Sequence, residues 1–384
     1  MKILSVSWNV FEYKNEGYIP EKNGGSIMIS DIAEYIGRIV DSYLYVGNIR
    51  TGDAKVGHIN LCSNKKYLPE HRTKENINEW QEGLKKGFIE LVEQSKPDYV
   101  LVHGAGDFAY SIIDICIEKN IKVAFVCHLY LGKKEGLDAS KEELDKEDKI
   151  FEIPDLKIIT VGTGMRSRIL KERPAIKEEN IVAIINGTKI EFEPPTEKFI
   201  DLYKSVGKKV LVCSGSLQPR KNQIQLVRAC GCLRKDVLEN IEILLVGKDS
   251  KTYPTKDMLL QAIADNGLQD VIKYVGVFEQ KEMKNIYSIM DGLIMPSFAE
   301  GVSLVALEAL TFGKPIIAFY DNETLQDVND SRAVVEAKNH SDKALAEAIE
   351  EWYDREWDEE FIKSYSKDYR LERVADEYIR FCGE

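Results

Sequence analysis

The sequence predicts an α/β protein built from two doubly wound units, each around a parallel sheet. Three observations lead there. Short apolar, β-branched runs alternate with longer stretches of helical period along nearly the whole chain. Those runs are apolar throughout, as strands covered on both faces require. A double proline near the middle interrupts the alternation, which then restarts. The length, 384 residues, suits two domains at about 150 residues each.

The first unit, residues 1–190, opens on the strand KILSVSW. Further strands follow at 98–104 (DYVLVHG), 122–128 (KVAFVCH), 157–162 (KIITVG) and 180–187 (NIVAIING), with helical periods at 26–40 and 75–93. The linker is Glu191–Phe192–Glu193–Pro194–Pro195, where two prolines cannot continue a strand or a helix interior. The second unit, residues 196–357, carries strands at 208–215, 241–247, 271–277, 291–296 and 314–320. Residues 358–384 read as a charged helical tail. In doubly wound sheets ligands bind beyond the carboxyl ends of the strands, so the search for function belongs there.

Composition excludes several classes. At 44% hydrophobic and 30% charged, the chain is neither disordered nor fibrous. No apolar run approaches the roughly 18 residues of a membrane span. The N-terminus lacks the unbroken apolar core of a signal peptide. The expected address is the cytoplasm, with peripheral contact at the inner face of the membrane as the alternative. The net charge of −12 argues against a nucleic-acid partner. Residues 1–190 carry 27 basic and 29 acidic groups, and residues 191–384 carry 25 and 35. An anionic ligand must therefore be held by local donors rather than by the overall field. Seven cysteines, none in a C-x-x-C pair, and five scattered histidines suggest neither a disulfide framework nor a zinc site.

Three segments carry chemistry. In PSFAEGVSLVALEAL (296–310) a strand ends at Pro296 and a helix is expected from Val302 or Ser303. The first helical turn offers unpaired N–H groups suited to a diphosphate. Glu300 and Glu308 would then reach opposite ends of such a ligand. The competing reading makes Ser297-x-x-Glu300 a capping box and Glu308 a solvated helix residue. In VLVCSGSLQPRKNQ (210–223) a strand meets a glycine turn, and Arg220 and Lys221 open the next helix; they either clamp a diphosphate or are simply solvated. At Asn23–Gly24–Gly25–Ser26, two glycines at the start of the first helix would admit a phosphate or only form a turn.

Taken together in this order, the segments resemble retaining glycosyltransferases of the GT-B fold, glycosyltransferase family 4, over nearly the whole chain. Gly24 and Gly25 match the family's glycine pair after the first strand, and His128 matches its histidine at a strand end. Gly215, Ser216, Leu217 and Lys221–Asn222 match the G-R-L turn and its K-N pair. Glu300 and Glu308 match the E-x7-E signature, followed by Gly313–Lys314–Pro315. The resemblance implies two Rossmann-like domains facing a central cleft, the C-terminal helix returning across the junction onto the N-terminal domain. It also implies transfer of a sugar from a nucleotide-sugar, a UDP-sugar foremost, to a saccharide, lipid-linked or protein acceptor in glycan or surface-polysaccharide synthesis.

By the same resemblance Glu300 contacts the donor sugar, Glu308 the ribose, and His128 positions the transferred sugar, with His103 a lesser candidate. Lys221 and the backbone from Gly301 through Val302, Ser303 and Leu304 meet the diphosphate. Backbone at Gly247 and at Gly276–Val277–Phe278 cradles the base. The sequence departs at Ser216, where the family often has arginine; Arg220 is the candidate substitute. Ser303 replaces a frequent glycine. No cofactor is implied, the nucleotide-sugar being a substrate. No metal is expected either, since the chain contains no D-x-D pair.

Other readings weigh less. Gly104–Ala105–Gly106–Asp107–Phe108–Ala109 fits the dinucleotide fingerprint, but the next strand ends in His128 where an acid is needed. Cys127 beside His128 points to the opposite face of its strand. The rival from another class is a catalytically inactive GT-B subunit that binds an acceptor or stabilises a partner enzyme. A sugar-nucleotide epimerase or a phosphorylase is the runner-up enzyme. Two basic-aromatic loops, Asn64–Lys65–Lys66–Tyr67 and Leu129–Tyr130–Leu131–Gly132–Lys133–Lys134, either face an acceptor or a membrane surface, or are solvated loops.

Overall fold

A computed structural model describes residues 1–14, 17–21, 24–132, 139–250, 255–298 and 300–384. It divides into two compact units. Among the described residues, the first comprises those within 1–132, 139–187 and 371–384, and the second those within 188–370.

The first unit holds an eight-stranded sheet. From the central strand Lys2–Ser7 it extends through Tyr99–His103, Val123–Cys127, Lys157–Thr160 and Ile181–Ala183 on one side. On the other side lie Asp41–Val46, Ile59–Leu61 and Ala54–Val56. All neighbours run parallel except the last pair. The first crossover from Lys2–Ser7 goes one way and a later one returns to its other flank, so a topological switch point lies beside Ser7 and its register partner His103. The strands at 41–46, 54–56 and 59–61 escape the sequence reading, as does a hairpin of Phe11–Lys14 with Gly17–Pro20. They are short or carry Tyr, Asp and Asn among their apolar positions.

The second unit holds six parallel strands in the order Ile272–Gly276, Ile241–Val246, Lys209–Ser214, Gly292–Met295, Ile316–Phe319 and Val334–Ala337. Its switch point falls between Lys209–Ser214 and Gly292–Met295, the strands that feed the two most informative segments. Ile241–Val246 is buried at every position, as expected of a strand covered on both faces.

The tail is not one helix. Glu359–Tyr365 ends in a 3-10 turn, Ser366–Tyr369, and a new helix runs from Leu371 to Gly383. The break has a local cause: Tyr369 is buried, its hydroxyl donates to the Asp327 carbonyl at 2.5 Å, and its carbonyl accepts from Thr188 N at 2.8 Å. Leu371–Gly383 belongs to the first unit, where Phe381 meets Tyr99 with ring centroids 5.5 Å apart and Arg373 donates to the Ile185 carbonyl. Among the described residues no helix is long and apolar enough to cross a membrane. The seven cysteines are free, and all but Cys232 are buried.

Candidate functional site

At the switch point of the second unit, three neighbouring strands end in glycine: Gly215, Gly247 and Gly276, with φ of 153°, 146° and 89°. They are laced together, Gly215 N donating to the Val246 carbonyl at 2.9 Å and Gly247 N to the Gly276 carbonyl at 2.8 Å. A Cβ on Gly247 would lie 1.9 Å from the Gly215 carbonyl oxygen, so no side chain fits there. The result is a bare backbone shelf. Val277, at its rim, is 51% exposed.

Beyond Gly215 the chain forms a 3-10 turn, Pro219–Lys221, and Asn222 takes a left-handed conformation with φ of 56°. This turn is stitched to the 296–303 loop. Phe298 N donates to the Arg220 carbonyl at 2.9 Å, and Asn222 Nδ2 donates to the Pro296 carbonyl at 3.2 Å. Glu300, 7% exposed, thereby comes to face both cations. Lys221 Nζ pairs with its Oε1, and Arg220 Nη1 lies 3.5 Å from its Oε2. Burial opposes ionisation of Glu300. The charges of Lys221 and Arg220, with hydrogen bonds to Lys221 and Ser297, outweigh it and hold the carboxyl below its usual range. Lys221 and Arg220 thus bring two cations to one carboxylate beside the shelf.

The capping-box alternative for Ser297 and Glu300 fails. Such a box forms at Ser140 and Glu143 in this chain, whereas the helix after Glu300 starts only at Leu304. Ser297 instead bonds to the Glu300 side chain. Glu308 is not a solvated helix residue either: it is 9% exposed and accepts from Tyr287 Oη at 2.5 Å.

Two further expectations need correction. Ser303 N does not point at an open anion site, because it donates to Thr324 Oγ1 at 3.2 Å. Thr324 Oγ1 in turn donates to the Gly301 carbonyl at 3.0 Å and so fastens the loop. By helix geometry, the amides of Leu304 and Val305 are the first-turn donors with no carbonyl one turn back. Val302 is buried and adds only its backbone. The helix thus starts one or two residues later than the sequence suggests.

Ser216 and Arg220 are linked through Gln218. With the Gln218 oxygen turned to the side that faces donors, it accepts from Arg220 Nε and Nη2 at 3.2 Å each and from Ser216 Oγ at 2.8 Å. The guanidinium is therefore held between this amide and Glu300.

In the first unit, the helix Gly24–Gly37 opens on the glycine pair, with Ser26 Oγ donating to the Asn9 carbonyl at 3.0 Å. Asn23 lies outside the described residues. His128 directly follows its strand, partly buried, with Nε2 2.9 Å from Nδ1 of buried His103. Burial pushes the His128 ring down to about 4. The basic-aromatic loops are tied inward. Asn64 is buried and bonds Thr51 N, the Val46 carbonyl and the Ile49 carbonyl. Tyr130 is buried, so it does not face an acceptor, and Leu131 N and Gly132 N are held by buried Glu147. Lys133 and Lys134 lie outside the described residues.

Tyr287, Thr324, Gln218 and Ser297 escape the sequence reading as site residues. Tyr287 and Thr324 each lie 21 residues from the group they bond. In sequence they look like core and turn residues. Among the described residues no cluster of three His, Cys, Asp or Glu side chains is arranged to hold a metal ion.

Two Rossmann-like parallel-sheet units in one chain define a GT-B protein. Sucrose-phosphate synthase from Thermosynechococcus elongatus has the same fold, with a TM-score of 0.75 at 16% identity over 99% of this chain and 98% of that one. The Anabaena protein HepE, solved in complex with UDP-glucose, gives a TM-score of 0.71 at 14% identity over 100% and 99%. Residues 196–369 match the family model of glycosyl transferases group 1. A D-inositol 3-phosphate glycosyltransferase from Paenarthrobacter aurescens is 32% identical over 148 residues, 38% of this chain. The match spans about a third (35%) of that relative's length.

Proposed function

We propose that this protein transfers a glycosyl group from a nucleotide-sugar, a UDP-sugar foremost, to a saccharide, lipid-linked or protein acceptor, with retention of configuration and without a metal ion. The observation that carries the reading is the cluster of Lys221, Arg220 and Glu300 beside the shelf of Gly215, Gly247 and Gly276. Cleaving a glycosyl–phosphate bond builds negative charge on the leaving diphosphate, and preorganised cations and amides stabilise that charge. Lys221 and Arg220 supply the cations, and Leu304 N and Val305 N supply amides at a helix opening. The bare shelf admits the flat base and ribose against backbone, with Glu308 as the ribose acceptor. Glu300 meets the sugar. In the first unit, His128 is assigned to a sugar oxygen and Gly24–Gly25 to a phosphate.

The family of residues 196–369 and the UDP-glucose bound by the Anabaena protein support this choice of donor. The leaving phosphate itself takes the acceptor's proton, so no side chain is assigned as general base. Glu300, already salt-bridged twice, would be a poor one.

The test is a panel of UDP-, GDP- and ADP-sugars scored by nucleotide release, with chelator in parallel. Release from one donor, unchanged by chelator and lost in Lys221→Ala, is the expected result. Loss with chelator and rescue by Mg²⁺ or Mn²⁺ overturns metal independence. Absence of both release and thermal stabilisation by UDP, GDP or ADP selects the inactive-subunit reading, since a ligand at 100 times its Kd adds about 2.7 kcal/mol.

A further inference from the structure

His103 ends the strand Tyr99–His103, and His128 directly follows the adjacent strand Val123–Cys127, beside the switch point of the first unit. Their ring centroids are 5.2 Å apart with planes inclined by 26°, and His103 Nδ1 lies 2.9 Å from His128 Nε2. Two neutral ring nitrogens at that distance share one hydrogen. The remaining nitrogen of His103 decides which ring supplies it. His103 is 3% exposed, and its Nε2 has no hydrogen-bond partner among the described residues. A buried N–H without an acceptor is rarer than an acceptor left bare. The hydrogen of neutral His103 therefore sits on Nδ1 and is donated to His128 Nε2. Because that nitrogen accepts, the single hydrogen of neutral His128 sits on its own Nδ1.

We propose that His103 is a positioning residue that locks His128 in the Nδ1–H tautomer, so that His128 meets its ligand as a hydrogen-bond donor. The inference rests on the reading of His128 as a contact for the donor sugar, and it specifies the chemistry of that contact. An Nδ1–H selects an oxygen lone pair, on a hydroxyl or a ring oxygen. It cannot take a proton from an attacking hydroxyl. His128 is thereby a specificity group and not a general base, and the second-rank histidine is what makes it one.

The experiment uses the full chain labelled with ¹⁵N-histidine. With only five histidines, the spectrum is assignable by comparison with His128→Asn and His103→Asn. Long-range ¹H–¹⁵N correlations at neutral pH report which ring nitrogen is protonated. The expected result is Nδ1–H on His128, lost in His103→Leu and kept in His103→Asn, whose amide N–H takes the place of the ring Nδ1. In step with this, KM for the donor chosen by the panel rises severalfold in His103→Leu, with a smaller change in kcat, and recovers in His103→Asn. A hydrogen on His128 Nε2 in the unmodified chain overturns the proposal, as does a tautomer that His103→Leu leaves unchanged. If His103→Leu does not fold, the spectrum of the unmodified chain decides alone. Should His128 carry Nδ1–H in dependence on His103 while no nucleotide-sugar turns over or shifts its signals, the tautomer assignment stands and the reading of its ligand fails.

Discussion

Tyr287 donates its phenolic hydrogen to Glu308 Oε2 at 2.5 Å, from a position with no solvent exposure. Burial and the Glu308 charge together push the Tyr287 hydroxyl far above its ordinary pKa, so it remains a donor at any working pH. One carboxylate oxygen is thus fixed, which orients the other. An acid so held suits a ribose diol far better than a mobile one would.

Tyr287→Phe removes that donor without changing the ring. The variant should lose roughly 1.5–3 kcal/mol of stability, the scale of a hydrogen bond to a charged group. It should also raise KM for the nucleotide-sugar more than it lowers kcat, because the ribose is remote from the bond that breaks. Thermal melting and steady-state kinetics on one preparation separate the two effects.

Arg220 and Lys221 share Glu300, so their removal should be felt in the chemical step. Lys221→Ala or Arg220→Ala is expected to lower kcat by about 10²–10³, the scale seen when one preorganised donor to a developing oxyanion is lost. If Arg220 does the work of the arginine absent at Ser216, Ser216→Arg should recover activity in the Arg220→Ala background. Full activity in Arg220→Ala alone would end that assignment.

Gly247→Ala places a methyl 1.9 Å from the Gly215 carbonyl oxygen at a φ of 146°. Overpacking of this kind costs about 1–3 kcal/mol even where the backbone can yield. Gly267→Ala is the control: its φ of 64° is also unfavourable, but nothing lies within 4 Å of the added atom. That variant should show only the left-handed penalty of roughly 1–2 kcal/mol. The further expectation is specific to the shelf. Stabilisation by UDP should vanish in Gly247→Ala and survive in Gly267→Ala.

The paired histidines predict an acid-sensitive first unit. His128 is held down at about 4 by burial, and His103 is held well below its ordinary value by burial and by His128. Their unfolded pKa is about 6.5, so below that pH the unfolded chain binds more protons. Stability is therefore complete above about 6.5 and falls with pH through the interval down to the folded values. Melting temperatures of the chain and of His103→Asn/His128→Asn should converge as pH drops through that interval. Glu300 behaves in the same sense lower on the scale: its contribution holds above about 4.3, its unfolded value, and is lost on further acidification.

Periodicity and punctuation in the sequence determined the two-unit α/β architecture and the segments that end at the switch point of the second sheet. Those features are local: a β-branched run, a proline pair or a glycine before a helix acts on its own neighbours. Glu300, Glu308, Lys221 and Arg220 were legible for the same reason, as charged residues where strands pass into helices. Tertiary structure alone decided their partners. Tyr287 and Thr324 approach Glu308 and Ser303 across 21 residues of chain, and Arg220 reaches Glu300 across 80. Only the pairing of parallel strands brings such groups within hydrogen-bond reach. The same crossover geometry set His103 against His128 and turned a helix-surface reading of Glu308 into a buried, oriented carboxylate.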